Sequence, residues 1–77
     1  MSGPVKRSFT LAGHRTSISL EEAFWQALSE AAREEGLALA TLVQKIDAER
    51  GEAGLSSAVR LWLLEYYRTR RGARSES

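Results

Sequence analysis

The chain has 77 residues, 43% of them apolar and 27% charged, with 11 Lys and Arg against 10 Asp and Glu. It contains no cysteine and one histidine, which excludes disulfides, zinc–thiolate sites and thiol nucleophiles. A core this small rarely supplies more than ~3–5 kcal/mol of stability, so a partner subunit is the first expectation.

No apolar run exceeds four residues, as at Leu61 to Leu64, far shorter than a membrane span. The first residues, Met1 to Arg7, lack the apolar stretch of a secretion signal. A cytoplasmic protein with no membrane partner is expected. The near-neutral net charge of +1 hides segregation along the chain. Residues 1–20 carry Lys6, Arg7 and Arg15 with no acid, residues 21–52 are strongly acidic, and residues 53–77 are basic again. A local basic patch of this kind suits nucleic acid even where net charge does not.

Residues 1–4 and 72–77 are small and polar and read as tails around one domain spanning 5–71. Residues 5–20 alternate apolar and polar: Phe9 and Leu11 against Ser8, Thr10 and Ala12, then Thr16, Ile18 and Leu20 against Arg15, Ser17 and Ser19. Period two predicts extended chain with one buried face. Gly13-His14 interrupts it. Either Gly13 begins a hairpin turn that sets Phe9 against Ile18, or it marks a bulge before a strand that pairs with another chain.

A first helix is predicted over 21–35, with Ser19 as N-cap, Glu22 completing a capping box and Gly36 as stop. Its inward stripe is Ala23, Phe24, Ala27, Leu28 and Ala31, with Trp25 at the edge. A second helix is predicted over 38–50, burying Leu39, Leu42, Val43 and Ile46. After the loop Gly51-Glu52-Ala53-Gly54, Ser56 or Ser57 caps a third helix that runs to about Thr69. Apolar residues surround most of that third helix, which one short chain can hardly bury alone. Arg60, within this run, is expected to pair with Asp47 or Glu65, because an unpaired buried guanidinium is costly.

No catalytic set is evident. His14 with Ser17 or Ser19 lacks an orienting acid. Glu21-Glu22 and Glu34-Glu35 are adjacent pairs that splay around a helix. The loop at Gly51–Gly54 lacks the Lys-Ser/Thr of a phosphate cradle. No enzyme, cofactor or metal is expected. A polar strand face is more informative, because a β-ribbon can enter the DNA major groove. Arg15, Ser17 and Ser19 would then face the bases, with Arg able to read guanine bidentately.

The strings Gly13-His-Arg-Thr-Ser17, Leu20-Glu21, Phe24-Trp25, Ile46-Asp47, Arg50 and Leu55-Ser-Ser-Ala-Val-Arg60 resemble the ribbon-helix-helix proteins, over residues 5–69. They are most similar to a bacterial subgroup with an additional C-terminal helix. The resemblance implies a mainly α fold with a short β-ribbon, built as an intertwined homodimer whose ribbon takes one strand from each chain. It favours that intermolecular ribbon over the hairpin. It implies base contacts from Arg15, Ser17 and Ser19. Phosphate contacts would come from Lys6, Arg7 and His14 and from the start of the second helix at Ala38, Leu39 and Thr41. That helix start carries no Ser, Thr or Asn before Thr41. The implied oligomer interface holds Thr16, Ile18, Leu20, Phe24, Leu42, Val43 and Ile46. To these the third helix adds Val59, Trp62, Leu63 and Tyr66, as a surface for a tetramer or another protein. The expected function is a DNA-binding transcriptional regulator. The alternative is an oligomeric protein-interaction module, scaffold or antitoxin-like, that uses the third helix.

Overall fold

The computed structural model describes the backbone of residues 3–75 and the side chains of residues 3–69. Two strands and three helices follow one another: β1 (Val5–Leu11), β2 (His14–Leu20), α1 (Glu22–Glu35), α2 (Leu39–Glu49) and α3 (Leu55–Ser75). Met1, Ser2, Glu76 and Ser77 of the expected tails lie outside the described residues.

β1 and β2 pair antiparallel within the one chain, with Leu11 opposite His14 and Val5 opposite Leu20. The hairpin alternative is therefore the one observed, where the family resemblance favoured pairing between chains. Its register differs from the expected one, since Phe9 faces Thr16 and Ile18 faces Arg7. The turn is the cause: its two central residues are Ala12 and Gly13, with φ of 50° and 83°. Both angles are positive, the pattern whose twist matches that of the flanking strands. The turn thus starts one residue earlier than a Gly13-His14 turn would.

One face of the hairpin carries Val5, Phe9, Leu11, Thr16, Ile18 and Leu20 and is laid on the helices. Leu11, Ile18 and Leu20 are buried there. They join Trp25, Leu28, Ala31 and Ala32 of α1, Leu42, Val43 and Ile46 of α2, and Ala58, Val59 and Leu63 of α3 in a single core.

α1 corrects two expectations. Ser19 is not its cap: the strand runs on to Leu20, and Glu21 takes the N-cap position with no side-chain hydrogen bond. Trp25, expected at the edge, is among the most deeply buried side chains, whereas Ala23 is exposed. The helix is covered from two sides. α3 lies against its Phe24 and Ala27 flank, where Tyr67 Oη donates to Ala27 O at 3.2 Å. The hairpin lies against its Trp25 flank, where Phe9 stacks on the indole at 6.0 Å and Trp25 Nε1 donates to Val5 O at 2.8 Å. Gly36, in the left-handed conformation at φ 71°, ends α1 as expected, and Leu37 N–H closes back on Ala32 O at 2.9 Å.

α3 begins at Leu55 rather than after a serine cap, and its backbone continues past Thr69 to Ser75. Two tyrosines fasten it to α1, Tyr67 as above and Tyr66 through Glu34 Oε1 at 2.8 Å. Its Leu61 and Leu64 remain 61% and 54% exposed, so the all-round apolar helix is indeed not covered within one chain.

Candidate nucleic-acid interface

The face of the hairpin turned away from the core carries Lys6, Ser8, Thr10, Arg15, Ser17 and Ser19, and it holds no acid. Ser19 is half-buried and the other five are exposed. The serines Ser8 and Ser17 sit directly opposite each other, their hydroxyls 3.4 Å apart. The strand alternation predicted Arg15, Ser17 and Ser19 on this face, and the structure brings them together there. Ser8 and Thr10 of β1, noted in the sequence only as polar alternates, complete it. Their membership depends on an intrachain partner strand that periodicity does not identify.

The edge of β2 away from β1 has a definite hydrogen-bonding inventory. A two-residue turn makes Leu11 and His14 a bonded pair, and bonded pairs then alternate along the ladder. The N–H and C=O groups of Arg15, Ser17 and Ser19 consequently point to the open edge. At Ser19 that edge is covered by α3. Ser19 N–H donates to Ser56 Oγ at 3.2 Å, and Arg60 Nη2 reaches Ser19 O at 3.5 Å. Among the described residues, no hydrogen bond reaches the edge groups of Arg15 or Ser17.

Arg60 therefore does not pair as expected. Asp47 is held by Arg50 at 2.6 Å, and Glu65 by Arg68 at 3.7 Å. Arg60 instead reaches Glu21 Oε1 at 3.0 Å and lies over the Phe24 ring at 5.5 Å from its centroid. Glu21's own backbone N–H, and then this guanidinium, hold its carboxyl below the usual glutamate range.

The expected phosphate contacts are dispersed. Lys6 lies on the polar face, opposite Ser19. Arg7 points to the other face, its guanidinium 4.9 Å over the Trp25 ring. His14 is exposed beside the turn. Ala38 caps α2 with no side-chain hydrogen bond, and no acid occupies the first turn of that helix, which contains Leu39 and Thr41. The opposite end of α2, at Asp47 and Arg50, shares a shallow hollow with His14, Arg15 and Leu55. The start of α2 is thus set apart from the hairpin turn by the helix's length, about 16 Å. Of the expected interface residues, Ile18, Leu20, Leu42, Val43, Ile46, Val59 and Leu63 are buried inside the single chain, where both strands and all three helices already enclose them. Thr16, Phe24, Trp62 and Tyr66 are half-buried.

An apolar groove of about 390 Å³ runs between α1 and α3, lined by Phe24, Ala27, Leu61, Leu63, Leu64 and Tyr67, with Arg60 at its end. Among the described residues there is no cluster of His, Asp and Glu suited to a metal, and no helix is long and apolar enough to cross a membrane.

Residues 4–67 match the model of the ribbon-helix-helix domain. No curated protein matches the chain. Among solved structures, an uncharacterized protein from Bordetella pertussis Tohama I superposes over 92% of this chain with a TM-score of 0.80 and 33% identity. The chain spans 61% of that protein's length.

Proposed function

The chain belongs to the ribbon-helix-helix domain family, whose members typically dimerise and bind DNA, and we propose that it is a dimeric DNA-binding regulator. The observation that carries this is the polar, acid-free outer face of the hairpin. Arg15 and Ser17 are the proposed base contacts, with Ser19 beside them. Guanidinium and hydroxyl groups match the donor and acceptor pattern of the major groove.

Two copies joined through the open edge of β2 would place the two β2 strands at the centre of a four-stranded sheet. Its outer strands would stand about 14 Å apart, given a spacing near 4.8 Å between neighbours. The major groove is about 12 Å wide. The β2 strands then enter the groove while the β1 strands ride its rims, which brings Lys6 to the phosphates. The uncapped, acid-free start of α2 at Ala38, Leu39 and Thr41 is a further phosphate contact, since free helix N–H groups attract anions.

The experiment is a mobility-shift titration against random DNA, and then against a selected site, at two salt concentrations. Arg15→Ala is expected to weaken the selected site by ~1–3 kcal/mol per half-site and to relax preference at one base pair in each. Lys6→Ala is expected to weaken all sequences alike and to reduce the salt slope by about two, one phosphate contact being lost from each copy of the dimer. Equal affinity of Arg15→Ala and the parent would sink the reading. Exposed Leu61 and Leu64 support a second reading, in which the groove between α1 and α3 docks a protein. That reading expects DNA-independent association, lost in Leu61→Lys.

A further inference from the structure

A β edge pairs only where its N–H and C=O groups are available. On the open edge of β2 these groups belong to Arg15, Ser17 and Ser19, and α3 has already engaged those of Ser19 through Ser56 and Arg60. We infer that Ser56 and Arg60 are positioning residues for the ribbon: by covering Ser19 they confine pairing between two copies to Arg15 and Ser17, and so place Thr16 on the two-fold axis. This rests on the proposal that the β2 edges of two copies meet.

Three considerations select that register. Centring on Ser17 sets Ser19 opposite the partner's Arg15, which needs the very groups that Ser56 and Arg60 hold. Centring on Arg15 sets two guanidinium side chains directly opposite, and like charges so placed are destabilising. Centring on Thr16 sets Arg15 opposite the partner's Ser17 twice over. Every free edge group then gains a mate, and the two arginines lie diagonally apart. In this register the covered Ser19 faces the partner's Gly13, which has no side chain to collide with Ser56 or Arg60.

The register can be read by crosslinking, because the chain contains no cysteine of its own. Directly opposed, non-hydrogen-bonded residues stand about 4.5 Å apart at Cα, within reach of a disulfide, whereas diagonal neighbours at roughly 7–8 Å are out of reach. Thr16→Cys and Ser17→Cys chains are oxidised in a glutathione redox buffer and run on non-reducing gels, with circular dichroism confirming that each is folded. The expected result is a covalent dimer from Thr16→Cys and none from Ser17→Cys. In the Ser56→Ala/Arg60→Met background, the covalent dimer should pass to Ser17→Cys as the freed Ser19 lets the strands slide.

A dimer from Ser17→Cys alone, or from both single variants, overturns the register while leaving the ribbon standing. An unchanged pattern in the double background overturns the role of Ser56 and Arg60. Absence of crosslinking from either cysteine in folded protein overturns the meeting of β2 edges, and the register with it.

Discussion

The Arg60 guanidinium stands 3.0 Å from the Glu21 carboxylate, joining the second turn of α3 to the residue between the ribbon and α1. The same side chain lies over Phe24 and touches Ser19 O. One cation thus bridges a strand end, a helix start and a third helix.

The pH dependence of this pair has a definite sign. The folded-state pKa of Glu21 is lowered. Its contribution to stability is therefore present above the unfolded glutamate value and is lost as pH falls through the folded one. Urea titrations of the parent and of Arg60→Met should differ most near neutrality and converge in acid. A gap that widens in acid would contradict the assignment.

Trp25 should be the costliest side chain to remove. It is 1% exposed and is held between α1 and β1, stacked on Phe9 and bonded to Val5 O. Trp25→Ala is expected to lose ~3–5 kcal/mol, enough to unfold a chain of this size. Trp25→Phe keeps an aromatic ring but loses the indole's second ring and the bond to Val5 O, an intermediate cost of about 1–3 kcal/mol. Chemical denaturation followed by far-ultraviolet circular dichroism measures both.

The turn offers a gain. Ala12 holds φ of 50°, a conformation that costs a residue with a Cβ roughly 1–2 kcal/mol. Asn tolerates it and is favoured before Gly in this turn. Ala12→Asn should raise the melting temperature, and Gly13→Val should lower it.

Two adjacent leucines of α3 should separate burial from exposure. Leu63 is 2% exposed and Leu64 is 54% exposed. Leu63→Ala is expected to cost about 2–5 kcal/mol, and Leu64→Lys to change folding by no more than about 0.5 kcal/mol. Paired denaturation curves at low protein concentration distinguish them.

A negative charge on the polar face tests DNA contact without disturbing the core. Thr10 is exposed there, opposite Arg15. Thr10→Glu should reduce affinity for every DNA sequence by like-charge repulsion, with an unchanged circular dichroism spectrum. Retained affinity would place the DNA elsewhere.

Local chemistry was legible in the sequence where one residue settles it. Gly36 ends α1 because the left-handed position favours a residue without Cβ, and that can be read from the string alone. The alternation of Thr16, Ile18 and Leu20 with Arg15, Ser17 and Ser19 likewise told inside from outside. What the string did not disclose was which element covers which. Trp25 is off a single-sided helical stripe, and its burial follows from a hairpin lying on a second side of α1. Ser19 has the chemistry of a helix cap, yet Ser56 and Arg60, distant in sequence, hold it in the strand. Arg60 found Glu21 rather than Asp47 or Glu65, because nearer arginines had taken both.

The covering of Ser19 also has a history in time. Its partner Arg60 is made 41 residues later. At synthesis rates of about 5–20 residues per second, that interval lasts roughly two to eight seconds. Once outside the ribosome the hairpin can close, since its turn is local, and until Arg60 is in place the far edge of β2 stays bare. Neighbouring ribosomes on one message would hold several such edges close together, each a template for the wrong strand. On the register inferred above, the third helix would act as a late gatekeeper: its arrival closes the Ser19 end of the edge and leaves Arg15 and Ser17 open to a matching copy.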